Sequence, residues 1–191
     1  MIIALCGLKG SGKTTLAKLL SNEERSSLRR PFYYNRLSFA KPLYLMLETL
    51  LAYQGATEEE AIYILGKGKE EKTHYLDGQT PRHALQTLGT EWGRVLISSD
   101  IWTNSLGRAA TLFPNIVIDD LRFLNEAGTI RNLKGKLIRI ERPGIEPDLR
   151  HISELEQFRI DVDWVITNAG EPEDMLRELD QLMGGKLWKT P

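Results

Sequence analysis

The first sixteen residues constrain this chain more than any other stretch. Met1 to Cys6 is a short apolar run rich in Ile and Leu, and it suits a strand buried on both faces. Gly7-Leu-Lys-Gly-Ser-Gly-Lys-Thr14 then matches G-x-x-x-x-G-K-[ST] in full. Leu16, Leu19 and Leu20 follow at helical spacing, so a helix opens at about Lys13. Strand, loop and helix together aim many N–H donors at one place, which is what a triphosphate requires. Gly7, Gly10 and Gly12 let the backbone turn and come close to phosphate. The helix start adds free N–H groups and a positive dipole end. The expected nucleotide-binding set is Gly7, Lys9, Gly10, Ser11, Gly12, Lys13, Thr14 and Thr15. Within it, Lys13 reaches the β- and γ-phosphates of ATP, and the Thr14 hydroxyl serves Mg²⁺. The competing reading is a glycine turn that binds nothing.

A length of 191 residues suits one domain with a full core. The formal net charge is -1, so no global basic field argues for nucleic acid as a partner. No apolar run approaches the ~20 residues of a membrane span, and the N-terminus has no signal-peptide layout. The lone Cys6 excludes an internal disulfide and reads as a small core residue at a strand end. These features predict a cytoplasmic protein, in the host cytoplasm if it is viral, acting on small molecules. A homodimer is left open.

Arg25, Arg29 and Arg30 lie in a polar stretch that reads as a solvated loop. Tyr33 to Phe39 reads as a second strand, and Pro42 opens a helix whose Leu43, Leu47, Leu50 and Leu51 share one face. Thr57 and Glu60 form a capping box for a short helix ending near Leu65. Residues 66–79 are charged and aperiodic, with Lys67, Lys69 and Lys72. Thr80-Pro81 starts a further helix with Leu85, Leu88, Trp92 and Leu96 as its buried stripe. Residues 57–80 are the expected substrate-binding arm.

Asn115-Ile-Val-Ile-Asp119-Asp120 runs three β-branched residues into two carboxylates. Buried parallel strands look like this, and α/β ligand sites lie at their carboxyl ends. An acid is needed there to order Mg²⁺ or its waters, which makes Asp119 the candidate beside Thr14. The roles of Asp119 and Asp120 are interchangeable at this stage. Leu121 onward is expected to be helical, which puts Arg122 and Glu126 four apart on one face. Residues 135–141 and 163–168 supply two more strands. Between them a turn-rich loop, residues 142–152, carries Arg142 and Arg150 and reads as a lid bringing cations over the migrating phosphoryl group. Ser153 to Glu156 is a second capping box. Pro172 to Met183 is the last helix, and residues 185–191 are expected to fray. The β–α alternation predicts an α/β fold with a five-stranded parallel sheet and helices on both faces.

Taken in order, these pieces resemble the deoxynucleoside monophosphate kinases of bacteriophages, over nearly the whole chain. The resemblance rests on Gly7 to Thr14, Ser38-Phe-Ala-Lys-Pro-Leu43, the Arg82 to Arg94 segment, Asp100-Ile-Trp102, Asp120-Leu-Arg-Phe-Leu-Asn-Glu126, Arg142-Pro-Gly144 and His151-Ile-Ser-Glu154. It implies a P-loop kinase fold and transfer of the ATP γ-phosphoryl group to a deoxynucleoside monophosphate with Mg²⁺. It further implies that Trp102, Asp120, Arg122 and Glu126 line the acceptor site, with Gln86 nearby. Arg82 would hold the acceptor phosphate, and Arg142 and Arg150 would act from the lid. Lys13, Arg82, Asp120, Arg122, Arg142 and Arg150 form the catalytic set. Arg122, held between Asp120 and Glu126, would sense the 2′ position of the sugar. Dephospho-coenzyme A kinases and animal-type phosphomevalonate kinases share looser versions of the Phe-Ala-x-Pro-Leu and His-x-Ser-Glu stretches. A guanine-reading switch would need Asn-Lys-x-Asp, where this chain has Thr167-Asn168-Ala169-Gly170.

Overall fold

Strand β1, Ile2–Cys6, takes the centre of the sheet because it is apolar throughout and can be covered on both faces. In the computed structural model, which describes residues 1–21, 33–146 and 156–187, the Ile3 to Cys6 side chains are fully buried. β1 pairs in parallel with β3, Ile116–Ile118, on one side and with β4, Lys136–Glu141, on the other. β2, Asn35–Leu37, and β5, Trp164–Thr167, close the two edges, also in parallel. The order is β2-β3-β1-β4-β5. The edge strands are only partly buried, as expected for strands paired on one side alone.

Alternation along the strands divides the core into two layers. Ile3, Leu5, Val117, Ile138, Ile140 and Ile166 meet Leu16, Ala17 and Leu20 of α1, Lys13–Ser21, and Met175, Leu176 and Leu179 of the final helix, Pro172–Leu182. Ile2 points the other way, and its side chain converges with Ile130 over Gly135. That places the helix Leu124–Asn132 on the opposite face. The P-loop kinase fold expected from the sequence is therefore present.

The chain gathers into two compact units, Met1–Ser38 with Ser105–Pro191, and Phe39–Asn104. The first holds the whole sheet. The second contains α2, Lys41–Tyr53, then α3, Glu58–Leu65, a 3₁₀ turn at His74–Leu76, α4, Pro81–Thr87, and a π-helix, Leu88–Ile97. The expected arm, residues 57–80, lies inside this unit. Helix α5, Ile101–Ala110, carries the chain from the second unit back into the first. Continuing the numbering, Leu124–Asn132 is α6 and Pro172–Leu182 is α7.

The Thr57–Glu60 capping box forms as expected. Two buried stripes do not. Leu43, Leu47 and Leu51 face the core, but Leu50 is exposed. Leu85 is buried, whereas Trp92 is exposed and Leu96 is 73% exposed. The expected stripe assumed α-helical turns throughout. The π-helix begins at Leu88, and its i→i+5 turns rotate later residues off the face that Leu85 defines. Residues 66–79 fold back on themselves, with the Arg82 backbone N–H donating to Lys69 O, and Lys69 Nζ donating to the Tyr44 hydroxyl at 2.8 Å. Among the described residues, no helix is long and apolar enough to cross a membrane. The expectations for Arg25, Arg29, Arg30, Arg150, His151 and Ser153, and for the last four residues of the tail, lie outside the described residues.

Candidate active site

The site begins where β1 ends. Gly7 has a φ of +138°, and a Cβ there would sit 2.2 Å from Ile140 O. Gly12 has a φ of +109°, and a Cβ there would sit 2.4 Å from Asn168 Nδ2. No side chain fits at either position without moving backbone or an engaged amide. The loop thereby stays narrow between β4 and the end of β5. Asn168 Nδ2 donates to Ser11 O at 2.8 Å, and Gln157 Oε1 accepts from the Gly7 N–H at 3.2 Å. The Gly12 carbonyl already accepts the first helical bond, from the Leu16 N–H.

Within this frame Lys13 Nζ donates to the carbonyls of Gly7 and Leu8, both at 2.7 Å. The ammonium is curled over its own loop. Ser11 is 1% exposed, and its buried Oγ has no hydrogen-bond partner among the described residues. A buried hydroxyl without a partner is costly, and a ligand oxygen at this loop would relieve it. Lys9 is exposed and Thr15 half-buried. A cavity of about 370 Å³ opens on the loop, with Lys13, Thr14 and Thr15 on one side and Arg142, Asn168 and Met175 on others. Arg142 is thus brought to the phosphate loop. Burial pushes the Cys6 thiol up, with Arg139 and Lys13 pulling it part way back, which fits an inert core residue.

The two carboxylates after β3 have different partners. Thr14 Oγ1 donates to Asp119 Oδ2 at 2.7 Å, and Arg36 grips the same carboxylate with Nε and Nη2. Asp120 instead accepts from the Ser38 hydroxyl at 2.8 Å. Of the two carboxylates, it is Asp119 that the fold joins to Thr14.

Arg122 and Glu126 do not share a helical face. Residues 119–123 are extended or turning, and α6 starts only at Leu124. Glu126 is 3% exposed, and its Oε2 accepts the backbone N–H groups of Arg122 at 2.9 Å and Phe123 at 3.1 Å. It is used as a helix cap, in the manner of the N3 glutamate of a capping box. The Arg122 guanidinium is exposed, and among the described residues no carboxylate lies within ion-pair distance of it. The expected clamp of Asp120 and Glu126 on Arg122 is not formed, because backbone donors reach Glu126 first.

Three expected residues belong to the second unit. Arg82 is ion-paired with Glu70 at 2.9 Å, and Gln86 is exposed on α4. Trp102 is buried with Leu43, Leu47 and Leu85, its Nε1 donating to Gly89 O at 2.9 Å. The Trp102 ring is part of that unit's core. Sequence reasoning missed Arg36, Ser38, Gln157 and Asn168 as site residues. Ser38 and Asn168 follow directly on strands, the same signal that selected Asp119 and Asp120. Arg36 is a lone cation in a three-residue strand, and Gln157 gave no local signal.

A parallel β2-β3-β1-β4-β5 sheet with a complete phosphate loop after its central strand is the architecture of a P-loop kinase. Comparison with known proteins narrows this. A protein of Acanthamoeba polyphaga mimivirus described as "Putative deoxynucleotide monophosphate kinase" is 33% identical over 193 residues, covering 94% of each chain. This chain belongs to the deoxynucleotide monophosphate kinase family. No family model matches it. Among solved structures it is similar to shikimate kinase from Aquifex aeolicus, at 19% identity and a TM-score of 0.46 over 97% of this chain and 98% of that one. It is also similar to TT1252 from Thermus thermophilus, at 18% identity and a TM-score of 0.48 over 97% of each.

Proposed function

We propose that this protein transfers the γ-phosphoryl group of ATP to a deoxynucleoside monophosphate, giving the diphosphate and ADP. The observation that carries the reading is the intact phosphate loop, its Thr14 joined to Asp119, in a chain related over 94% of its length to a protein described as "Putative deoxynucleotide monophosphate kinase".

The residues present fit a metal–triphosphate ligand. The orphaned Ser11 hydroxyl, the glycine positions that no Cβ could occupy and the Thr14–Asp119 pair are all of the required type. Thr14 and Asp119 are the Mg²⁺ side of the site. Gly7, Lys9, Gly10, Ser11, Gly12, Lys13 and Thr15 serve the phosphates. When bound, Mg²⁺ supplies charge neutralisation across the phosphate oxygens. Lys13 exchanges the Gly7 and Leu8 carbonyls for phosphate oxygens, which strengthens its hydrogen bonds because the new acceptors are charged. Arg142 adds a second cation at the cavity, and Arg150 is assigned to the same lid.

The acceptor is already an anion, so no strong general base is required, and catalysis reduces to alignment and charge neutralisation. Asp120, beside Ser38, is assigned to the acceptor sugar or base. Arg122, exposed next to it, has no carboxylate to leave among the described residues before meeting the acceptor. Arg82, Gln86 and Trp102 are assigned to the acceptor side by family resemblance, with Arg82 exchanging Glu70 for the acceptor phosphate.

The test is a screen of acceptors with ATP and Mg²⁺, reading ADP release. Deoxynucleoside monophosphates, their ribose counterparts, dephospho-coenzyme A and phosphomevalonate are compared at equal concentration. Turnover on at least one deoxynucleoside monophosphate above its ribose form is the expected result. Turnover confined to either non-nucleotide acceptor would overturn the proposal.

A further inference from the structure

Arg36 lies at the middle of β2, opposite Val117 in the parallel register with β3. Asp119 is two residues beyond Val117, just past the end of β3. The guanidinium lies against that carboxylate as a fork, Nε to Oδ1 at 3.2 Å and Nη2 to Oδ2 at 2.9 Å. Thr14 Oγ1 adds a third donor to Oδ2 at 2.7 Å. The Asp119 side chain is 6% exposed and that of Arg36 29%.

Two consequences follow. The first is orientation. A two-point guanidinium fork fixes the plane of a carboxylate in a way one ammonium cannot. With that plane fixed, the Thr14 proton points to Asp119 and the oxygen lone pairs of Thr14 point elsewhere. The second is charge. Thr14, Asp119 and Arg36 together carry no net charge, so a divalent cation arriving alone meets a neutral hydroxyl and a carboxylate that already has its counter-ion. Among the described residues, no group of three or more His, Cys, Asp or Glu side chains is placed to hold a metal ion. A polyphosphate would bring further anionic oxygens to the cation.

We infer that Arg36 is a positioning residue and the resident counter-ion of Asp119. It turns the carboxylate to take the Thr14 proton, and it keeps the site from binding a divalent cation unaccompanied, so that metal enters with a polyphosphate. The inference rests on Thr14 and Asp119 being the metal side of the site.

Mn²⁺ alone, titrated into the nucleotide-free full chain and followed by paramagnetic resonance, tests it. Arg36→Gln removes the charge and should bind Mn²⁺ at least ~10-fold tighter than the unsubstituted protein, since a neighbouring like charge has been deleted. Arg36→Lys keeps the charge and loses the fork. It should stay within about threefold of the unsubstituted protein for Mn²⁺, while its kcat falls several-fold at nearly constant KM for ATP. The gain in Arg36→Gln should vanish when Asp119→Asn is added. No gain in a folded Arg36→Gln, with Asp119→Asn still weakening Mn²⁺–ATP binding, makes Arg36 a structural ion pair only and overturns the inference while the functional reading stands. Unchanged Mn²⁺–ATP binding in Asp119→Asn removes the reading of the site itself. Should Arg36→Gln fail to fold, Arg36→Lys decides: a ~10-fold gain in Mn²⁺ affinity there refutes the charge argument.

Discussion

Glu126 separates two accounts of the Asp120–Glu126 segment. By family resemblance it lines the acceptor site; by geometry it holds the turn that enters α6. Its carboxylate accepts two backbone N–H groups, from Arg122 and Phe123, at 3% exposure. Glu126→Ala removes the one oxygen, Oε2, that accepts from both and leaves those donors at a partly buried helix start. Loss of a helix cap costs about 1 kcal/mol, and leaving a buried donor unsatisfied costs about 1–3 kcal/mol. The combined loss is about 2–3 kcal/mol, because the two estimates overlap on the same hydrogen bonds. For a chain of this size that is a fall in Tm of about 4–12 °C. Glu126→Gln retains one carbonyl acceptor and should lose less than half as much. The assay is thermal unfolding followed by circular dichroism on the purified variants, with ATP affinity measured in parallel. An unchanged Tm for Glu126→Ala, together with a large rise in KM for the acceptor, would show that the carboxylate faces ligand and refute the capping account.

Lys13→Ala should lower turnover at least ~100-fold by removing a preorganised cation from the phosphate loop, with Tm held; near-normal turnover would exclude the role given to Lys13. Gly93→Ala puts a Cβ 2.3 Å from Trp102 Cζ2, inside the second unit's core. Overpacking of this kind should cost about 1–3 kcal/mol, read as a lower Tm and a shifted tryptophan emission, and an unaltered melt would contradict the packing. Burial would raise the Asp163 carboxyl, but the Leu137 backbone N–H and the Lys136 ammonium outweigh it and hold the group below the usual carboxylate range. A depressed folded value means that its stabilisation is present above the unfolded pKa of about 3.9 and is lost as pH falls through the folded value. Asp163→Asn should therefore flatten the acid side of the stability–pH curve, and equal acid slopes for the two proteins would count against it.

Local chemistry was enough to read the phosphate loop, the Thr57 and Thr80 helix starts, and the central strands. Each depends on residues close in sequence: a turn that needs glycine, a cap within three residues, or an apolar run long enough for one strand. The P-loop kinase fold followed from the order of those pieces. Their side-chain alliances did not. Arg122 and Glu126 are four apart, which on a continuous helix means neighbours, but extended backbone before Leu124 hands Glu126 to main-chain donors instead. Leu96 keeps the spacing of a buried stripe and is exposed because the turn widens at Leu88. Asp119 and Asp120 are equivalent as letters. Only parallel pairing of β2 with β3, and the placing of α1 at the end of β1, bring Arg36 and Thr14 to the first carboxylate and Ser38 to the second. Such contacts join residues ~80–105 positions apart, where charge and apolar periodicity carry no register. Strand pairing sets it, and strand pairing is a property of the assembled sheet.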